Sequence, residues 1–502
     1  MKPLQIMDSF YKPNVLLVNF GSEALGIRQI SSLLKREGCK VDCLFLKHFR
    51  DERGNYLLSD KISSFVKSRE YDVVGFSCMT GDYFEIRSIT RSIKEKAKNP
   101  PLIIWGGVHP TIMPDECLKD GCADVVFHSA SEKALLELIS GCNPNEILNI
   151  AWFDGHQVVN NYSKVNLVDP NYLPFPDFDL STHYAVKDFD IKGMNIQLFR
   201  ELYPWNGTHY YGITARGCPY NCAYCCNIYR GTYSRKSIDY FIDELKYVKS
   251  KLPFVNTISI QDDSLFQNEP EWINNFAEKY GREIGLPFRA ALMPRFATDE
   301  RIGALSDVGL TYVGIGLQGS DRLNKEVYGR PETNESFLSA VHKCKKYGLT
   351  IRVDVIIDNP YERQEDLFEI AMTLNRIHKP YLISVFSLKL FPGTRMADRA
   401  KRDEKLDLFS GDPYMPDLGR GRRRESVYFT PDYWRSLYKY YLPNLPSNVC
   451  KYLINNINKE KLKENIVKYQ YLPGYVRNLG EKLRSVSPKM FDHTLRMFQR
   501  FR

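Results

Sequence analysis

Five short apolar runs follow one another near the start of the chain: VLLVNF from Val15, VDCLFL from Val41, DVVGFS from Asp72, LIIWGG from Leu102 and ADVVF from Ala123. Runs that stay apolar at successive positions read as strands covered on both faces, which calls for a parallel sheet with helices on either side. Helix-period segments between them, such as IRQISSLLKRE beginning at Ile27, supply those helices. Residues 1–141 are therefore expected to form a doubly wound, Rossmann-like α/β domain. Ligands of such sheets bind beyond the carboxyl ends of the strands, which singles out Ser77, Thr80, Gly106 and Gly107. The glycine pair serves either close approach of a ligand or simply a tight turn.

A second series of strand and helix patterns runs from Tyr210 to about Thr394. Its strands include TYVGIGL from Thr311, IRVDVII from Ile351 and YLISVFSLKLF from Tyr381, with ETNESFLSAVHKCKKYG among the helices. Six such units argue for a partial (β/α)6 barrel with its chemistry at the C-terminal strand ends. Between the two series, LPFPDFDL (Leu173 to Leu180) is rich in proline and aromatics, which favours extended chain. The expected parts are 1–141, a connector at 142–205, the barrel at 206–395, and a mainly helical region at 396–502.

Directly after the strand-like stretch Tyr210 to Ala215 stands CPYNCAYC, with Cys218, Cys222 and Cys225. Three thiolates so spaced suit one iron-sulfur cluster, and three ligands on a four-iron cube leave one iron open to a small molecule. Cys226 is adjacent to Cys225, and neighbours in sequence rarely reach the same cluster; the next cysteine is Cys344. The alternative is a zinc site with Cys226 or His209 as the fourth ligand.

The cysteine string, with Tyr224 before its third cysteine, resembles the radical S-adenosylmethionine (SAM) superfamily. The first series resembles the cobalamin-binding domain often fused in front of such barrels, on Leu25-Gly26 and Gly38, the GFS strand end and GGVHPT from Gly106. Together the likeness spans about residues 14–395, ending at FPGT from Phe391. It implies that Cys218, Cys222 and Cys225 ligate a 4Fe-4S cluster whose open iron chelates SAM. Asp262 and Asp263 in ISIQDDSLF would lie beside the methionine amino group, although the residues alone also read as a helix N-cap before Pro270. Gln318 and Ser320 in GIGLQGSD would contact ribose and carboxylate, and Arg295 or Arg352 would pair with the carboxylate or cap the barrel mouth. Asp358-Asn359-Pro360-Tyr361-Glu362 is a variant of the family's Gly-x-Pro-Gly-Glu and would face adenine.

Two departures concern cobalamin. The Asp-x-His-x-x-Gly signature is replaced by GSEALG (Gly21 to Gly26), which implies base-off cobalamin with no protein histidine beneath the metal. Where the family commonly has Gly-Glu-Gly-Glu, the chain has Ser129-Ala130-Ser131-Glu132. The implied activity is cobalamin-dependent methyl transfer to a carbon centre of an unidentified substrate through a 5′-deoxyadenosyl radical, fed by an external one-electron reductant of the flavodoxin or ferredoxin type. The alternatives are a radical oxidoreductase or cyclase without net methylation and, from another class, a zinc-stabilised RNA-binding protein.

Composition bounds the rest. The N-terminus has no apolar run of signal-peptide length, and no apolar stretch nears the roughly 20 residues of a membrane span. Twelve cysteines scattered over 502 residues are no disulfide scaffold, so a reducing, cytoplasmic setting is expected. From Lys401 onward there are 21 Lys and Arg against 11 Asp and Glu, so the net charge of +9 belongs to the C-terminal region. RGRRR (Arg420 to Arg424) and the aromatic residues that follow, Tyr433, Trp434 and Tyr440 among them, read first as a helical cap, second as contact with an anionic membrane surface and third as an RNA-binding surface.

Overall fold

A computed structural model describes residues 12–49, 56–119, 121–163, 168–229, 232–405 and 430–474. The first sheet is built from β1 (Asn14–Phe20), β2 (Lys40–Leu46), β3 (Val73–Ser77), β4 (Leu102–Gly106), β5 (Val125–Phe127), β6 (Ile150–Phe153), β7 (Val158–Asn160), β8 (His183–Lys187) and β9 (Asp190–Gly193). Their order is β7-β6-β5-β4-β3-β1-β2-β8-β9. All five strands expected of the first series form, and they run parallel. Val15 and Leu17 pack into the core on one face of this sheet, Leu16 and Val18 into the core on the other, which is why the run is apolar throughout.

Residues 142–205, expected as an extended connector, also widen this sheet. β6 and β7 add antiparallel strands at one edge, while β8 and β9 extend the other. The LPFPDFDL stretch is tied down by Arg28, fully buried on the helix Leu25–Arg36. Its guanidinium donates to the carbonyls of Asp177 (3.0 Å) and Ser22 (3.0 Å) and lies over the rings of Phe45, Phe178 and Phe199. Asp177 in turn accepts from Ser31 Oγ (2.6 Å) and Lys35 Nζ (2.7 Å). Burial opposes its charge, but His183, Lys35 and Ser31 outweigh that and hold the carboxyl well below the usual range.

The second sheet holds β10 (His209–Gly212), β13 (Thr257–Ile260), β14 (Phe288–Leu292), β15 (Leu310–Gln318), β16 (Thr350–Ile357) and β17 (Leu382–Ser387), in that order and all parallel. It is the expected partial barrel of six strands. Between β10 and β13, a small hairpin of β11 (Ala215–Arg216) and β12 (Ser234–Arg235) brackets the cysteine loop. β17 is shorter than the apolar run suggested: after Leu388 the chain leaves the sheet for the Phe391 to Thr394 turn.

The C-terminal region packs helices Asp432–Ser436, Ser447–Asn455 and Glu460–Lys468 onto the barrel. Trp434 and Tyr438 are fully buried and Tyr433 and Tyr440 pack against the same core, as in the helical-cap reading. RGRRR lies outside the described residues. Among those described, no helix is long and apolar enough to cross a membrane.

Arg28 is the buried charge on which the join between helix and strap relies. Arg28→Met keeps most of the volume but strands two buried carbonyls, and should cost about 3–5 kcal/mol, read as a lower urea midpoint.

Candidate active site

The cysteine loop follows the carboxyl end of β10, as the barrel rule requires. Cys222 is buried and Cys218 and Cys225 half-buried, packed with Tyr220, Tyr224, Met293 and Phe296. His209 opens β10 at its other end and stacks on Trp205 at 5.1 Å, so it is not a fourth ligand of this loop. Burial pushes Cys218 up to about 11 and raises Cys225 as well, so thiolates here require a cationic partner. Backbone N–H of Asn227 points at Cys225 Sγ (3.4 Å), a contact that suits a metal-bound sulfur.

Two features hold the loop. Gly217 has φ +116, and a Cβ there would stand 1.9 Å from the carbonyl oxygen of Thr232, so the residue before Cys218 must be glycine. Asp262, buried beyond β13, accepts from the backbone N–H of Thr214 (2.7 Å) and Ala215 (3.1 Å) and from the Thr214 hydroxyl. Burial pushes its pKa up to about 6, against which these donors act. Asp262 thus faces the loop backbone and not open space, and the helix Pro270–Glu283 takes Glu269 at its N-cap, so neither acid caps it. Asp263 is exposed and accepts from Asn227 Nδ2 (2.8 Å), beside Cys225.

The other expected contacts divide. Gln318 ends β15 with φ +63, and its side chain fills the space a Cβ on Gly316 would need. Ser320 is buried and spent on Asp366 Oδ1 and Leu323 N, away from the cysteines. Arg295 lies 5.8 Å from the Tyr220 ring beside the cysteine loop. Arg352 pairs with Asp354 (2.9 Å) near the start of β16, five residues or about 17 Å below its carboxyl end. Of the two arginines, only Arg295 stands near the cysteine loop.

Arg330 was not singled out in the sequence. It lies 3.4 Å from the Tyr224 hydroxyl and 3.4 Å from the Gly316 carbonyl, and 3.9 Å from Cys222 Sγ. Its buried Nε has no partner, which leaves a guanidinium edge for an anionic group beside the cysteines. No spacing or composition signal marks it, since a Gly-Arg-Pro turn is common.

On the first sheet, Ser77 ends β3, Gly106 ends β4, and buried Thr80 opens the turn that follows β3. Gly107 has φ +102, and a Cβ there would be 2.9 Å from the Cys78 carbonyl oxygen, so its glycine serves the turn; beside Gly106 there is room. Ser129 adopts φ +55, the glycine-like conformation, and its N–H donates to Thr111 Oγ1 (2.8 Å). Residues 11–138 match the B12 binding domain and residues 213–374 the Radical SAM superfamily.

The chain belongs to the radical SAM superfamily and carries a B12-binding domain. TsrM, a radical SAM methyltransferase from Kitasatospora setae solved with cobalamin and a [4Fe-4S] cluster, has TM-score 0.60 and 18% identity over 78% of this chain and 75% of that one. OxsB, a cobalamin-dependent SAM radical enzyme solved with aqua-cobalamin and SAM, has TM-score 0.67 and 17% identity over 98% of this chain and 75% of that one. At these identities both speak to the fold. An uncharacterised methyltransferase of Pyrococcus horikoshii is 20% identical over 384 residues, 75% of this chain and 78% of that protein.

The residues present fit both cofactors. Three thiols on one loop, one buried and two half-buried, with an amide aimed at one sulfur suit a 4Fe-4S cluster, and Arg330 suits the carboxylate of SAM. For cobalamin, the crevice beyond β1, β3 and β5 holds buried polar atoms without partners: Gln29 Nε2, Thr80 Oγ1, Ser129 Oγ and Glu132 Oε2. An amide-rich ligand would satisfy them. The Ser-Ala-Ser-Glu departure keeps the glycine-like backbone at Ser129.

Gly217→Ala should leave less than about half the wild-type iron after anaerobic purification, because the loop cannot close over Thr232. Asp262→Ala strands two buried N–H groups, and should lower stability by about 2–4 kcal/mol in denaturant titration while also lowering iron.

Proposed function

We propose that this protein is a cobalamin-dependent radical SAM methyltransferase acting on a carbon centre of its substrate. The observation that carries the reading is that the carboxyl ends of the two sheets face each other. Arg216, two residues before Cys218, reaches Glu132 Oε1 (2.7 Å) and Gln29 Oε1 (3.1 Å), which belong to the crevice of the first domain. On the other side, Gly393 beyond β17 rests against Ile112 beyond β4. Groups held at the crevice and at the cysteine loop would share one space.

When bound, the cluster supplies an electron to SAM and cobalamin carries a methyl group. The protein's own part is placement and exclusion of water. The Arg216–Glu132 pair, with both side chains largely buried, closes the seam between the domains. Arg330 and Arg295 offer positive charge to a carboxylate beside the cysteines. The methyltransferase reading is supported by a bacteriochlorophyllide d C-12(1)-methyltransferase of Chlorobaculum tepidum, 22% identical over 73% of this chain and 72% of that protein.

A second reading, ring closure or oxidation without net methylation, is favoured by an anaerobic magnesium-protoporphyrin IX monomethyl ester cyclase of Rubrivivax gelatinosus, 22% identical over 64% of this chain and 57% of that protein. The electron donor in either case is proposed to be a flavodoxin or ferredoxin. Contact of the basic C-terminal region with an anionic membrane surface is the remaining part of the proposal.

Protein made with cobalamin and purified without oxygen should hold about four irons and one cobalt per chain. Cys222→Ala should cut dithionite-driven cleavage of SAM to methionine and 5′-deoxyadenosine by at least about a thousandfold, since the cluster is its electron source. Cleavage retained in that variant would remove the cluster assignment. Iron without cobalt would favour the second reading.

A further inference from the structure

The loop at the carboxyl end of β16 is where this chain departs from the glycines of its family's motif, and both departures are used for the same purpose. Asp358 has φ +59, a left-handed conformation that glycine adopts freely and aspartate does not. Its backbone N–H donates to Thr430 Oγ1 (2.8 Å), and its Oδ1 accepts from Thr430 N–H (2.9 Å). Its Oδ2 accepts from Arg435 (2.6 Å). The Thr430 hydroxyl donates onward to Glu362. Tyr361, at the second glycine position, lies between Arg399 (4.1 Å) and Lys405 (4.4 Å) and donates to Asp403 (2.8 Å).

Asp358 and Thr430 are 2% exposed, so the reciprocal pair is shielded from water and each partner leaves the other unsatisfied if removed. The next residue carries the contact inward. Asn359 donates to the Tyr328 hydroxyl (2.9 Å), and Tyr328 packs edge-on against Tyr224 at 4.9 Å. The Tyr328 carbonyl accepts from the N–H of Ala223, inside the cysteine loop (2.7 Å). A continuous set of buried hydrogen bonds and ring contacts thus runs from Thr430 to the residue between Cys222 and Tyr224.

We infer that the C-terminal region, through Thr430 and Arg435, is a positioning element for SAM: it fixes the β16 loop and, through Tyr328, the wall of the SAM site beside Tyr224. The inference rests on the radical SAM reading of the cysteine loop. Thr430 and Arg435 touch neither the cysteines nor the lumen, so they are positioning residues, and their loss acts on how tightly SAM is held more than on the electron transfer itself.

The test compares Thr430→Val, Thr430→Ser and Arg435→Met in the full-length, reconstituted protein, with dithionite as reductant and SAM as the varied substrate. Thr430→Val and Arg435→Met should each raise the KM for SAM about tenfold, with kcat for 5′-deoxyadenosine formation within about threefold of wild type and iron unchanged. Thr430→Ser, which keeps the hydroxyl, should restore the wild-type KM to within about twofold. A KM unchanged in Arg435→Met, whose side chain is partly exposed, overturns the inference even if Thr430→Val fails to fold. So does a Thr430→Ser variant as impaired as Thr430→Val. The Cys222→Ala result stands apart from these: retained cleavage there would sink the radical SAM reading, whereas an unchanged KM here sinks only the positioning role.

Discussion

A single buried carboxylate holds the site in place. Asp262 takes two backbone amides and a hydroxyl from Thr214 and Ala215, where β10 gives way to the cysteine loop. A loop that carries three thiols within eight residues is kept from fraying by backbone donors fixed to a strand end. The cost is visible in the carboxyl itself, pushed up by burial to about 6. Glycine at position 217 supplies the complementary condition, a backbone path past Thr232 that no side chain permits.

From that anchor the chain reaches in two directions. Arg216, next to the hydrogen-bonded pair, crosses to Glu132 and Gln29 and brings the crevice of the first domain over the barrel. The same short segment therefore orients the cysteines and closes the seam between domains. In the other direction, Ala223 and Tyr224 meet Tyr328, and through Asn359 and Asp358 the C-terminal helices. The two cofactor environments and the C-terminal region are linked through one loop of about a dozen residues.

The departures from family pattern become intelligible in this light. Ser129 keeps the left-handed backbone of a glycine while adding a hydroxyl, and Glu132 spends one oxygen on Arg216. Asp358 likewise stands in a glycine conformation and uses its carboxylate to hold Thr430 and Arg435. At Asp358 the side chain takes up contacts that glycine could not make, and the conformational cost of a left-handed residue is offset by buried hydrogen bonds, whereas the Ser129 hydroxyl has no hydrogen-bond partner.

The sequence by itself determined the two sheets and the cysteine spacing. Continuous apolar runs admit only strands buried on both faces, as the split of Val15 and Leu17 from Leu16 and Val18 shows, and the cysteine spacing is a local property of eight residues. Where the polar residues turn was decided by tertiary structure. Asp262 and Asp263 are neighbours in sequence, yet one turns to the backbone of Thr214 and the other to Asn227 beside Cys225. Ser320 turned to Asp366, Arg352 stayed low on β16 with Asp354, and Arg330, with nothing to mark it, arrived beside Cys222. Arg352 apart, whose partner is two residues on, side-chain direction at a strand end depends on what packs from other elements, and those partners lie 36 to 108 residues away along the chain. Periodicity and spacing, which act over a few residues, carry no record of them.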